Sequence, residues 1–506
     1  MKLSLEDYRQ KLLGCWMGKN IGGTFGAPFE WFRGINDATY YTQKLDGNPL
    51  PNDDLDIQLL WLIMMEEQGI NVDSRLMTEY WQNFVTPHWA EYGNAKINMQ
   101  AGLMPPYTGI RNNDYKDSCG AFIRSEIWAC IAPGNPRLAV KYAYEDASLD
   151  HGDGEGMYAE VFTAAIESAA FVINDPKKLV EIGLSYIPAE CGIARAINLA
   201  MDMYNQGKTW REARDEMLRQ CRGSVFFQHM WHISKEDIEK GFHTGKMGWD
   251  APSNIGILVI GLFYGEGDFT KSMCVTVNCG EDTDCTGATI GSLFGIMHGV
   301  DAIPEKWITP IGRSIKTACL NIGELGYFGD MLPKTIDELT DRTEAIMRKV
   351  AVHHDLPVET DYPVCKPAAL EDMFMDEKVL GYINTPAGRY TFPFFNIAVE
   401  YITGVATQPG EAAKIRLIIA NKYRIQAGLT IRWFAPNGWN VGPAFEIKTH
   451  VGPEHWSNRE VSHTFDLVPS ENATATSRFV VEVTVDGRTT TMLVPVILLL
   501  EVRANG

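Results

Sequence analysis

The chain has 506 residues, 45% of them hydrophobic and 22% charged, which is the composition of a folded protein rather than a disordered, collagenous or low-complexity one. At roughly 100–200 residues per domain, several domains fit. Its 45 Lys and Arg against 64 Asp and Glu leave a net charge of −19, which gives no counterion release on a phosphate backbone and argues against nucleic acid and anionic membrane partners. From Met1 to Gly18 no apolar secretory run of about 7–15 residues follows a basic start, so a cytoplasmic location is expected. Ser4 and Asp7 form a capping-box-like start for a first helix. Gly14, Gly18, Gly22 and Gly26 recur every four residues, a stripe suited to close backbone approach, with a break into a loop expected at Gly22–Gly23. Helical spacing continues in Leu55, Leu59, Leu62 and Ile63, in Tyr158, Val161, Ala164, Ile166 and Ala169, and in Ile255, Ile257, Val259 and Leu262. A second ladder follows at Gly287, Gly291, Gly295 and Gly299. The ten cysteines contain no CxxC spacing and read as reduced core thiols.

The texture changes near residue 365. His353 to Asp372 carries three prolines and no sustained period, which places a boundary between a helical domain, 1–365, and a β domain, 373–506. Short apolar or alternating blocks follow at Ala413–Ile419, Leu429–Phe434 and Phe479–Val485. Asp486–Gly487 reads as a two-residue hairpin turn between Val481–Val485 and Thr489–Val494. Met492 to Leu500, interrupted by Pro495, is far short of the roughly 20 residues that span a bilayer and reads as a buried strand. Residues 366–506 carry 13 Lys or Arg against 14 Asp or Glu, so nearly all the net acidity lies in the helical part.

Two acidic clusters stand at helix starts. Asn52-Asp53-Asp54-Leu55-Asp56 precedes one apolar helical pattern, and Gly280-Glu281-Asp282-Thr283-Asp284-Cys285 precedes the second glycine ladder. One such cluster is explained by capping and the helix macrodipole. Two, each beside a helix built for close packing, suggest four carboxylates converging on a divalent cation, for which Mg²⁺, Mn²⁺ or Ca²⁺ is the suitable class. Trp249, which adjoins Asp250, Pro252 and Asn254 at another helix start, is the preferred sugar-stacking tryptophan, with Asn254 beside it. Lone histidines such as His88 and His298 read as structural. No zinc-helix, nucleophile-elbow or phosphate-cradle motif is present.

Several of these segments together resemble the ADP-ribosylglycohydrolase (dinitrogenase reductase-activating glycohydrolase-like) family. Gly14-Cys15-Trp16-Met17-Gly18 through Gly26-Ala27-Pro28-Phe29-Glu30 is similar to its opening motif, Asn52-Asp53-Asp54 to its T-D-D, and Gly280 to Cys285 to its G-G-D-T-D-T. Ser118-Cys119-Gly120-Ala121-Phe122-Ile123-Arg124 is similar to its G-N-G-A-x-M-R loop, and Leu149-Asp150-His151 to its L-T-H. The resemblance spans about residues 8–350. It implies a compact all-α bundle with a two-ion metal site, usually magnesium, that grips a ribose diol. By motif position, Asn52, Asp53, Asp54, Asp282, Asp284 and Cys285 take the ligand places and Glu30 the gating carboxylate. Asp53, Asp282, Asp284 and Glu30 are the catalytic carboxylates, with the general base open among the first three. Ser118, Cys119, Gly120, Ala121, His151 and Asp153 take substrate contacts. Asn52 and Cys285 each replace a Thr, and Ser118-Cys119 replaces Gly-Asn of the phosphate loop.

The expected architecture is therefore an all-α ADP-ribosylglycohydrolase-like bundle followed by an immunoglobulin- or fibronectin-like β-sandwich. The implied activity is hydrolysis of an N- or O-glycosidic bond of an ADP-ribosyl, ribosyl or related sugar, a small-molecule substrate. The alternative is a catalytically inactive member that binds a carbohydrate or sugar nucleotide. The β domain reads as a brace or a dimerisation surface through which a homo-oligomer could form.

Overall fold

The computed structural model describes residues 1–221, 232–243, 249–320, 327–360 and 365–501. The chain forms two compact units, one of residues 1–94 and 112–383, the other of residues 95–111 and 384–506. The first is helical and the second is built on β-sheets. Among the described residues no helix is long and apolar enough to cross a membrane. All ten cysteines are free thiols, seven of them buried.

Five helices of the first unit position the site: α1 (Leu5–Gly26), α2 (Asp53–Gln68), α3 (Glu155–Ala170), α4 (Ala251–Tyr264) and α5 (Thr283–His298). Ser4 caps α1, its side chain accepting from the Asp7 N–H. The helix then runs unbroken through Gly22 and Gly23, where a loop was expected. Tertiary contact explains the difference, because the two glycine ladders face each other antiparallel and each lends the other its backbone. A Cβ on Gly18 would stand 2.0 Å from the Gly291 carbonyl oxygen, one on Gly22 2.0 Å from that of Gly287, and one on Gly26 2.1 Å from that of Thr283. Contact of this length along two helices offsets the roughly 1 kcal/mol that each interior glycine forfeits. Gly299, at φ +80°, ends α5 in a conformation glycine adopts freely. The pairing also fixes the register: the end of α1 meets the start of α5.

In the second unit two five-stranded sheets share one core. One has the order Gly388–Thr391, Phe395–Tyr401, Ala413–Asn421, Glu460–Pro469, Trp439–Gly442. The other has the order Ala406–Thr407, Thr491–Leu500, Thr476–Val485, Ala427–Phe434, Glu446–Val451. Alternate residues of both point inward, among them Ile415, Leu417, Phe465, Ile431, Phe479 and Val494. Leu103 and Tyr107 from the 95–111 segment pack with Val405, Ile497 and Leu499 in the same unit. The expected hairpin forms with a longer loop. Val485 and Thr490 are its last hydrogen-bonded pair, so four residues turn the chain rather than two, with Gly487 at φ +70°.

Candidate active site

A cavity of about 560 Å³ opens in the helical unit where the ends of α1, α2 and α5 converge. At the start of α2, Asn52 is the cap, and its Oδ1 accepts from the Asp54 N–H at 2.6 Å. Its Nδ2 is buried with no acceptor and packs against Gly23, where a Cβ would lie 2.3 Å away. Asp53 lines the cavity, while Asp54 is buried behind it with no hydrogen-bond partner on either carboxylate oxygen.

The start of α5 supplies Asp282, Asp284 and Cys285, all lining the cavity. The Asp282 N–H donates to Asn254 Oδ1 at 3.2 Å, and Thr283 Oγ1 donates to the Gly26 carbonyl at 2.9 Å. Two consecutive residues with positive φ, Gly280 at +78° and Glu281 at +67°, form the turn that aims these carboxylates. A matching strain lies across the cleft at Trp31, φ +69°, which follows Glu30. Each such non-glycine residue costs about 1–3 kcal/mol and persists where its surroundings over-determine it. Here the fully buried Arg33 and Glu281 join the two turns by a bidentate ion pair, and Arg33 Nη1 also donates to the Phe242 carbonyl.

Two acidic triads result. One ligand atom each from Glu30, Asp282 and Asp284 lie within 4.8 Å of one another, and the same holds for Asp54, Asp284 and Cys285. Asp284 belongs to both. Asp54 Oδ1 and Oδ2, Asp282 Oδ1 and Asp284 Oδ1 are buried without a hydrogen-bond partner. Burial, reinforced by Asp284, Asp53 and Asp54, pushes the Glu30 carboxyl up to about 9. Burial and then Asp284 push Asp53 up to about 7. Burial drives Asp54 and Asp282 well above the carboxylate range, opposed at Asp54 by the buried Lys19, whose amine pairs with Glu126 at 2.7 Å. Clustered, buried and unsatisfied oxygens are the environment that a hard divalent cation relieves.

The remaining wall is the 118–121 loop, where Ser118, Cys119 and Gly120 line the cavity. Ala121 is buried and does not, and the same is true of Asp54, His151 and Asn254; Asn52, half-buried, does not line it either. His151 stands behind Ser118, with Nε2 3.1 Å from Ser118 Oγ and Nδ1 2.8 Å from Asp150 Oδ1. Arg124 clamps that aspartate at 2.6 and 3.0 Å and Asp146 at 2.8 Å. Asp153 lies apart from the cavity, half exposed and paired with Lys116 at 2.7 Å. Trp249 lines the cavity and donates from Nε1 to Glu30 Oε1 at 3.2 Å, its ring edge-to-face with Trp31 at 4.4 Å.

Sequence reasoning missed part of this lining. Glu91, Trp31, Trp89, Tyr92 and Ile123 also face the cavity, as does His88, which the sequence had suggested to be structural. One signal was available: Glu91 lies in the first turn of the helix Ala90–Gln100, the same carboxylate-at-helix-start pattern that marks Asp53 and Asp284.

A family model described as ADP-ribosylglycohydrolase matches residues 4–346. Among solved structures, one titled as an ADP-ribosylglycohydrolase-related protein complex is similar at 19% identity, covering 68% of this chain and 98% of that one with a TM-score of 0.39. A FixG-related protein from Vibrio parahaemolyticus is similar at 12% identity, covering 22% of this chain and 100% of that one with a TM-score of 0.18. Comparison with curated proteins gives no match.

Proposed function

Because the chain belongs to the ADP-ribosylglycohydrolase family, we propose that its acidic cavity hydrolyses an N- or O-glycosidic bond of an ADP-ribosyl, ribosyl or related sugar with two divalent cations bound. The observation that carries this reading is the pair of triads sharing Asp284, together with the orphaned carboxylate oxygens of Asp54, Asp282 and Asp284. Glu30, Asp282 and Asp284 form an all-oxygen set suited to Mg²⁺ or Mn²⁺. Asp54, Asp284 and Cys285 form the second set, where burial and then Asp282 hold the Cys285 thiol protonated in the metal-free protein, so oxygen carries that site too. Bound there, the cations would polarise a vicinal diol and acidify water.

The protein's own groups do the rest. Trp249 and Trp31 offer aromatic surface to the sugar or its aglycone and fix Glu30 beside it. Asp53 lines the cavity outside both triads and serves as the base that takes a proton from the attacking water. The buried walls of Cys119, Ile123 and Tyr92 limit bulk water around the reacting bond.

The test is an assay of ADP-ribosyl-arginine, ADP-ribosyl-serine and a panel of nitrophenyl ribosides and glycosides with Mg²⁺ or Mn²⁺. Metal-dependent release of a free sugar or ADP-ribose, abolished by EDTA, is expected. Metal bound with no turnover of any substrate would contradict hydrolysis and favour a binding protein.

A further inference from the structure

We propose that Glu91 is the general acid that protonates the departing group; this rests on the glycosidase reading above and adds to it the residue on which leaving-group chemistry depends. A glycosidic bond breaks with its electron pair on the aglycone, and that pair needs a proton. Among the described residues five carboxylates line the cavity, and three of them, Glu30, Asp282 and Asp284, belong to the triads. A cation would hold those three ionised. Asp53 and Glu91 stand outside, and their surroundings part them.

Glu91 is 7% exposed and enclosed by the 118–120 loop. Gly120 comes so near that a Cβ there would stand 2.0 Å from Glu91 Oε1. The loop backbone therefore closes over the carboxyl and fixes its orientation.

Burial outside both triads favours a proton on that carboxyl. Arg124 and His151 outweigh burial at Asp150 and hold it down at about 2, so Asp150 is ionised and accepts from His151 Nδ1–H. His151 Nε2 lies 3.1 Å from Ser118 Oγ. The ionisable groups that face Glu91 are His151, Asp150, Asp53, Cys119 and Tyr92. Burial raises the Glu91 carboxyl; His151 and the Ser118 hydroxyl partly offset this, and Asp150 adds to it.

In the reaction, the Glu91 proton moves to the glycosidic oxygen or nitrogen as its bond to the anomeric carbon breaks. Water forms the new bond to that carbon and gives its proton to Asp53. Glu91 ends ionised and Asp53 protonated, and exchange with solvent restores both.

The experiment compares wild-type protein and Glu91→Gln, each loaded with Mn²⁺, on a dinitrophenyl and an alkyl glycoside of the same sugar. Gln fills the same volume and cannot protonate. The expected result is a loss of kcat/KM below about tenfold for the dinitrophenyl substrate and above about 100-fold for the alkyl one, with Mn²⁺ stoichiometry unchanged and the alkaline limb of the pH profile gone. Equal loss on both substrates, or none, overturns the role of Glu91. If Glu91→Gln does not fold, the wild-type rate across a series of aryl leaving groups decides: a shallow dependence on leaving-group pKa is expected, and a steep one overturns the proposal. Wild-type protein that turns over neither substrate would overturn the glycosidase reading, and Glu91 with it.

Discussion

Arg33 and Glu281 form a fully buried, bidentate ion pair that joins the turn after α1 to the turn before α5. Neither residue lines the cavity. Each follows a residue or pair of residues in the left-handed region, Trp31 on one side and Gly280 on the other, with Glu281 itself at φ +67°. The pair therefore holds in place the backbone that aims Glu30 from one side and Asp282 and Asp284 from the other.

Removing one partner of such a pair leaves a buried charge uncompensated, at about 3–5 kcal/mol. Arg33→Met should lower the melting temperature and, in protein that remains folded, weaken Mn²⁺ binding although no triad residue is touched. Thermal denaturation and equilibrium dialysis on the same sample check both effects. Unchanged Mn²⁺ affinity would show that the turns hold without the pair.

The glycine stripe makes a sharper stability prediction. Gly18→Ala drives a methyl group against the Gly291 backbone, which has no rotamer with which to retreat, and should cost roughly 1–3 kcal/mol or more. Gly381→Ala, in the helix Glu377–Ile383 with nothing within 4 Å of its added Cβ, should be neutral or gain up to about 1 kcal/mol. Chemical denaturation of the two variants measures the contrast.

These features differ in how far local sequence determines them. The four-residue spacing of glycines and the two acid clusters at helix starts are short-range patterns, and the residues carry them openly. The unbroken course of α1 through Gly22 and Gly23 is not local: glycine pairs favour a break, and the backbone of α5, some 265 residues away, overrides that preference. Trp31 reaches the cavity for the same kind of reason, since a strained backbone leaves no mark on neighbouring residue types, whereas Glu91 carries the helix-start pattern of Asp53 and Asp284. The attachment of residues 95–111 to the β unit is written only in long-range contacts such as those of Leu103 and Tyr107.

Stability of the metal-free protein should fall as pH rises. Burial and neighbouring carboxylates place Asp53 at about 7 and Glu30 at about 9, both above the roughly 4 expected in the unfolded chain. The folded state therefore binds more protons than the unfolded one between about pH 4 and 9, and loses stability across that window. A divalent cation needs the ionised forms, so the rise in melting temperature on adding Mn²⁺ should grow from pH 5 to pH 9. Scanning fluorimetry with Mn²⁺ or EDTA tests this, and curves indifferent to both would contradict a metal site.

Trp249 both offers a ring to the cavity and donates to Glu30. Trp249→Phe keeps the ring and removes the donor, whereas Trp249→Ala removes both. If the ring binds substrate, KM should rise by about tenfold or more in Trp249→Ala and little in Trp249→Phe, since stacking on an aromatic ring is worth roughly 1–3 kcal/mol. Steady-state kinetics on a substrate found in the panel separates the two.

The proposed two-cation site turns on Asp284, the carboxylate common to both triads, and metal content after dialysis against Mn²⁺ reads it out. Wild-type protein should retain two ions per chain. Asp284→Asn, which withdraws a shared carboxylate from both triads, should retain none at the same free concentration while staying folded, because it also relieves repulsion in the metal-free state. Wild-type protein that retains no Mn²⁺, or Asp284→Asn that retains two ions as tightly as wild type, would contradict a cation site shared through Asp284.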